Sequence, residues 1–116
     1  MNRYRLLVVD DDREVREALR TALEDEGFTV AVAANGAEAI AKMEERPPRV
    51  VLLDLMMPIV DGWEVLDHVR GDPSLEDVRV CVCSAAADVR AAREADCVLR
   101  KPFGIAAVVE AVGELA

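Results

Sequence analysis

The chain has 116 residues, 53% hydrophobic and 32% charged, with a net charge of −9. That length suits one domain with a real core, and the acidic balance argues against partners that are themselves polyanions, nucleic-acid backbones and anionic membrane surfaces alike. The first apolar run is short and ends in three acids, so no secretory leader is expected, and no run is long enough to span a bilayer.

Leu6-Leu7-Val8-Val9 is an apolar run too short for a helix, and Arg5 to Val9 is read as the first strand. Asp10-Asp11-Asp12 follows, and Asp12 is placed to cap a helix whose inner face is Val15, Ala18, Leu19, Ala22 and Leu23. Gly27 suits a left-handed helix end. Phe28 to Ala33 is the second strand. Asn35-Gly36 turns into a second helix, with Ala37, Ile40 and Ala41 expected inward, and Pro47-Pro48 stops it.

Val50-Val51-Leu52-Leu53 is the third strand and delivers Asp54 at its carboxyl end. Strands apolar on every residue are buried on both faces, as in a parallel sheet. After the loop from Leu55 to Asp61, the third helix presents Gly62, Val65, Leu66 and Val69 on one side, and Gly71-Asp72-Pro73-Ser74 breaks it. Val78 to Cys83 is the fourth strand and ends at Ser84. A fourth helix of about two turns, near Asp88 to Ala95, is all the sixteen residues between Ser84 and Lys101 accommodate beside a loop and a strand. Cys97 to Arg100 is the fifth strand, followed by Lys101-Pro102. The last helix carries Ile105, Val108, Val109 and Val112 at helical spacing.

Strand–helix alternation repeated through the chain predicts an α/β fold with a parallel sheet. Ligands in such sheets bind at the carboxyl ends of the strands, and four of the five strands end there in Asp10 and Asp11, Asp54, Ser84 or Lys101. Crowded carboxylates repel unless a cation neutralises them, and Mg²⁺ is held by one or two carboxylates plus a phosphate. Asp10, Asp11 and Asp54 are therefore the candidate metal residues, and Asp54 the candidate phosphoryl acceptor. For Asp12 the capping role is the better reading. Lys101 pairs with Asp54 or neutralises a phosphoryl group there, and Ser84 offers a hydroxyl to a phosphoryl oxygen. Ser84 taken alone also suits a turn.

Taken together, Val8-Val9-Asp10-Asp11-Asp12, Leu53-Asp54-Leu55-Met56-Met57-Pro58-x-x-Asp61-Gly62, Ser84-Ala85 and Lys101-Pro102-Phe103 resemble the response-regulator receiver domain of two-component signalling, the CheY-like family. The resemblance runs over essentially the whole chain, residues 1–116 as one receiver domain. It implies a flavodoxin-like, doubly wound sheet of five parallel strands in the order 2-1-3-4-5, with five helices of which the fourth is short. It implies that Asp54 takes a phosphoryl group from a sensor histidine kinase or a phosphotransfer protein. It further implies Mg²⁺ held by Asp11, Asp54 and the Met56 backbone carbonyl, with Asp10 acting through water, and Ser84 and Lys101 on the phosphoryl oxygens. Such a protein is a switch that catalyses its own phosphorylation and dephosphorylation, in the cytoplasm, and passes its signal to an output partner or a missing output domain.

The chain departs from the family pattern in three ways. Val98 replaces the strand-five Tyr or Phe of many members. Glu94 stands where a glycine usually precedes strand five, and the fourth helix is short. Met56 and Ala86, two residues past Asp54 and Ser84, carry no group that orients a water by a strong hydrogen bond, which predicts slow self-dephosphorylation. Ala85 leaves access open.

Competing readings are a receiver-like interaction module that is not phosphorylated and a haloacid-dehalogenase-like phosphatase. The second fits Asp10-x-Asp12 formally, but Glu14 departs from its pattern and no cap segment is present. A nucleotide or flavin site would need a glycine-rich cradle where this chain is acidic. Cys81 and Cys83 sit roughly 6.5–7 Å apart on one strand face, awkward for a disulfide, and with Cys97 are read as small buried hydrophobes in a reducing compartment. His68 is read as solvated, Trp63 as a packing residue at a helix edge, and Met43, Met56 and Met57 as gap fillers or loop residues.

Overall fold

The short apolar runs become strands. These are β1 (Arg5–Val9), β2 (Thr29–Ala33), β3 (Val50–Leu53), β4 (Arg79–Cys83) and β5 (Cys97–Leu99). They alternate with helices α1 (Arg13–Asp25), α2 (Gly36–Glu45), α3 (Gly62–Gly71), α4 (Val89–Glu94) and α5 (Ile105–Leu115). A computed structural model describes residues 5–57, 61–85 and 89–115, without the side chains of 89, 90 and 92. The sheet is wholly parallel in the order β2-β1-β3-β4-β5, as expected for the flavodoxin-like class. Among the described residues, no helix is long and apolar enough to cross a membrane.

Side chains alternate across the pleat, so each strand feeds two cores. Leu7, Val9, Val51, Leu53, Val80 and Val82 pack against Ala39 and Met43 of α2, Val65, Leu66 and Val69 of α3, and Ala91 of α4. Leu6, Val8, Val50, Leu52, Cys81 and Cys83 pack against Leu19 and Leu23 of α1 and Val108, Ala111 and Val112 of α5. Helices on both faces explain why β1 and β3 tolerate no polar residue in their interiors. The α3 face agrees residue for residue with the expected one.

Local chemistry sets the element ends. Asp12 accepts the N–H groups of Glu14 and Val15 and caps α1, Asn35 accepts that of Glu38 at α2, and Asp61 that of Glu64 at α3. Gly27 has φ 94°, the left-handed conformation that a side chain resists. The fourth helix is short, as expected, with six residues described over Val89–Glu94.

Some expectations fail in instructive ways. In α2 the buried residues are Gly36, Ala39 and Met43, with Ile40 against the same core, whereas Ala37 and Ala41 face water. The 36/39/40/43 spacing is the true helical stripe, and Met43, read as a filler, anchors it. Ala18 of α1 and Ile105 of α5 are exposed. His68 is half-buried against α2 rather than solvated, its Nε2 sealed from solvent 3.7 Å from Glu44 Oε1. Trp63 packs at the core edge as expected.

The cysteines are all free thiols, with Cys81 and Cys83 sulfurs 3.9 Å apart. The Cys83 side chain and burial push the Cys81 thiol far up, and burial pushes Cys97 to about 12, which disfavours the thiolate at both.

Candidate phosphoryl-acceptor and metal site

Asp10, Asp54 and Ser84 are each the first residue beyond a strand and Lys101 is the second, yet all four are still tied to the sheet. The Asp10 N–H donates to Ala33 O at 3.2 Å, that of Asp54 to Val9 O at 2.9 Å, and that of Ser84 to Leu99 O at 3.0 Å. The Lys101 N–H donates to Ser84 O at 3.4 Å. The ladder thus carries its rigidity one or two residues past the last pleat and aims four functional side chains at one rim.

Asp10, Asp54 and Ser84 are buried, 3%, 5% and 0% exposed, and buried carboxylates persist only when their oxygens are satisfied. Asp10 Oδ1 accepts the Asp12 N–H at 2.9 Å and Asp54 Oδ1 that of Met56 at 3.1 Å. The outer oxygens face the ammonium of Lys101, 2.7 Å from Asp10 Oδ2 and 3.4 Å from Asp54 Oδ2. Asp10, rather than Asp54, is therefore the tighter partner of Lys101. Partial burial disfavours the Lys101 charge, but the Asp10 hydrogen bond and the charges of Asp10 and Asp54 outweigh it and hold the amine above its ordinary value.

Two supports were not legible as functional. Arg16 of α1 donates to the Asp10 carbonyl at 2.8 Å, pinning the start of the acidic turn. Its only signal in the sequence is its place on the first turn-and-a-half of α1. Gly62 lies so close to the acceptor loop that a Cβ there would meet Asp54 O at 2.2 Å and Leu55 Cα at 2.4 Å. This approach lets the 62 N–H donate to Leu55 O at 3.2 Å and folds the chain back against Asp54.

Carboxylate oxygens of Asp10, Asp11 and Asp54 lie within 4.8 Å of one another. Asp11 is exposed and open to solvent. Three carboxylates against one ammonium leave a local charge of −2. An all-oxygen donor set of that charge fits a small, hard divalent cation such as Mg²⁺. Met56 is 65% exposed. Ala86 lies outside the described residues. Val98 is half-buried against the core, so β5 has no aromatic ring in that position. Beside Lys101, an apolar trough of ≈ 500 Å³ runs between Val15, Ala18 and Leu19 of α1 and Phe103 and Ile105.

The family model described as the response regulator receiver domain matches residues 6–113. The transcriptional regulatory protein PrrA of Mycobacterium tuberculosis is 42% identical over 96% of this chain and 49% of its own length. Response regulator MprA of the same species is 42% identical over 87% of this chain and 45% of its own. The chain thus spans about half the length of the curated relatives it matches. Among solved structures, the Francisella response regulator 1452 receiver domain superposes with a TM-score of 0.89 at 28% identity, covering 97% of this chain and 96% of that one. Response regulator TrrA from Thermotoga maritima, in complex with Mg²⁺-BeF, gives 0.87 at 32% identity, covering all of both chains.

Proposed function

Because the chain belongs to the response-regulator receiver family, we propose that Asp54 accepts a phosphoryl group from a sensor histidine kinase or a phosphotransfer protein and that the modified form switches an output. The single observation that carries this reading is the joint geometry of Asp54 and Lys101 at one rim, with Nζ 3.4 Å from Oδ2. A carboxylate oxygen of Asp54 forms the new O–P bond as the donor's P–N bond breaks, and the imidazole leaves with the electron pair. Phosphoryl transfer asks chiefly for alignment and charge neutralisation. The Met56 N–H fixes the Asp54 rotamer through Oδ1, Lys101 meets the phosphoryl oxygens, and the Ser84 hydroxyl contacts them from β4.

Asp10, Asp11 and Asp54, with the Met56 carbonyl, would hold Mg²⁺, which when bound offsets the negative charge gathered at the rim. The turnover chemistry is self-limited: the protein is both catalyst and substrate, and loses the phosphoryl group slowly because Met56 offers no water-orienting group. The donor reaches Asp54 past the apolar trough beside Lys101, a surface suited to a helical partner. Output passes to a binding partner or to an output domain, as the names of the longer relatives suggest for those proteins. The reading assigns residues 1–116 to this one module and sets it in a reducing cytoplasm, consistent with three free thiols.

The test is intact-protein mass after incubation with Mg²⁺ and acetyl phosphate, beside Asp54→Asn. A gain of one phosphoryl group in the parent alone supports the assignment. No gain in folded, Mg²⁺-binding protein overturns it in favour of an unmodified interaction module.

A further inference from the structure

A methionine sulfur is oxidised where an oxidant reaches it, and the described methionines differ sharply in access. Met43 is fully buried in the inner stripe of α2, and Met57 is 8% exposed in the same core. Met56 is 65% exposed, the most open large apolar side chain among the described residues. Met1 lies outside them.

The acceptor itself fixes where Met56 stands. The Met56 N–H donates to Asp54 Oδ1 at 3.1 Å, so its Cα is one bond from a group already on that carboxylate. Lys101 attends the other oxygen, with Nζ 3.4 Å from Asp54 Oδ2. The two oxygens of Asp54 thus have different neighbours, an ammonium at Oδ2 and the Met56 backbone at Oδ1. The Met56 side chain is unbranched and freely rotating, which gives its sulfur reach to the space in front of the carboxylate.

We propose that Met56 is a reversible oxidation site that sets the lifetime of the phosphoryl group on Asp54, an inference that rests on the acceptor reading above. The oxidant is a peroxide. With hydrogen peroxide, the thioether sulfur gives a lone pair to one oxygen, the O–O bond breaks, and the second oxygen leaves as water after taking the proton of the first. Sulfur is oxidised by two electrons and the peroxide is reduced by two. A thioether is a weak acceptor, whereas the sulfoxide is polar and its oxygen accepts a hydrogen bond from water. A water held there attacks phosphorus. The new O–P bond forms as the bond from phosphorus to the Asp54 oxygen breaks, the carboxylate leaves with the electron pair, and the proton of the water passes to the released phosphate. The added oxygen sits on the side chain, so the Met56 N–H and carbonyl remain as they were.

The experiment treats the protein with dilute hydrogen peroxide and maps the added oxygen by peptide mass. Untreated and oxidised protein are then loaded from acetyl phosphate with Mg²⁺, the donor is removed, and intact mass is followed with time. The oxygen is expected on Met56 before Met43 and Met57. Phosphoryl loss is expected to quicken about tenfold, the rate equivalent of one hydrogen bond. Methionine sulfoxide reductases, one for each sulfoxide epimer, are expected to restore the slow rate. Met56→Leu keeps the three cysteines and the buried methionines, so peroxide is expected to leave its phosphoryl lifetime unchanged. Oxidation of Met43 or Met57 ahead of Met56, or a peroxide effect retained by Met56→Leu, would overturn the inference. A protein that gains the phosphoryl group and holds it equally long in both redox forms overturns this inference alone. A protein that never gains it overturns the acceptor reading, and this inference with it.

Discussion

The two edges of the sheet are electrostatic opposites built from one set of strands. At the carboxyl edge, Asp10 and Asp54 are buried within reach of Lys101. At the amino edge, Arg46 and Arg49 stand in solvent around a half-buried Arg5. In a strand–helix unit every helix begins near the carboxyl edge and ends near the amino edge. The acids therefore meet positive helix ends, capped by Asp12, Asn35 and Asp61, and the arginines meet negative ones. The difference between the edges is burial. Charges sealed from water couple strongly and resist screening, whereas exposed ones are damped within a Debye length of about 8 Å at physiological salt. The buried charges of the carboxyl edge are thus the more strongly coupled set.

The comparison breaks most severely at Gly62. Gly62→Ala forces a Cβ to 2.2 Å from Asp54 O, and the loop must shift away from the acidic rim. A loss of about 3 kcal/mol is expected in urea unfolding, together with loss of Mg²⁺-dependent stabilisation. Lys101→Met sharpens it instead. With Nζ gone, nothing competes for Asp10 Oδ2 and Asp54 Oδ2, so Mg²⁺ binds more tightly in a melting-temperature titration. Phosphoryl acceptance from acetyl phosphate slows about a hundredfold, the usual loss on removing one charge-stabilising donor. The two changes have opposite signs, which a merely unfolded variant cannot produce. The parent's pH dependence follows the same pair. Lys101 is held above the ordinary lysine value of 10.5, so its stabilising contribution is complete below that pH and is lost as pH rises through the folded value. Urea midpoints above pH 10.5 are expected to fall for the parent and far less for Lys101→Met.

Asp96 tests the amino edge. It accepts the Val80 N–H at 2.8 Å and pairs with Arg70 at 2.9 Å. Burial pushes its carboxyl up, but that N–H and Arg70 outweigh burial and hold it below the usual 3.8. Asp96→Ala is expected to cost about 2 kcal/mol at pH 7. That contribution is present above 3.8 and is lost as pH falls through the folded value, so the gap between parent and variant closes in acid. The smallest effect belongs away from both edges. Gly113→Ala in α5 meets nothing within 4 Å and is expected to stabilise by about 0.5–1 kcal/mol through helix propensity.

Legibility in the sequence followed the same physical divide. β1 and β3 were readable because burial on both faces leaves a continuous apolar run. The rim was readable because Asp10, Asp54 and Ser84 each follow such a run directly, and Lys101 follows one after Arg100. The inner face of α2 was misread because three alanines in a row of candidates carry little hydrophobic contrast, and Met43 decides the stripe. The partner of His68 was invisible because it lies on another helix. The preference of Lys101 for Asp10 was likewise hidden: a strand-end position says which rim a side chain reaches, and not which carboxylate oxygen it meets.

The most direct test of the two-edge account is a ¹H–¹⁵N spectrum of the protein with Mg²⁺ and beryllofluoride, a phosphoryl mimic. The account predicts stoichiometric shifts of Asp54, Ser84 and Lys101, abolished by Asp54→Asn, with Arg5, Arg49 and Arg79 unmoved. Shifts centred on the arginine edge, or none at the acidic rim of folded protein, would contradict it.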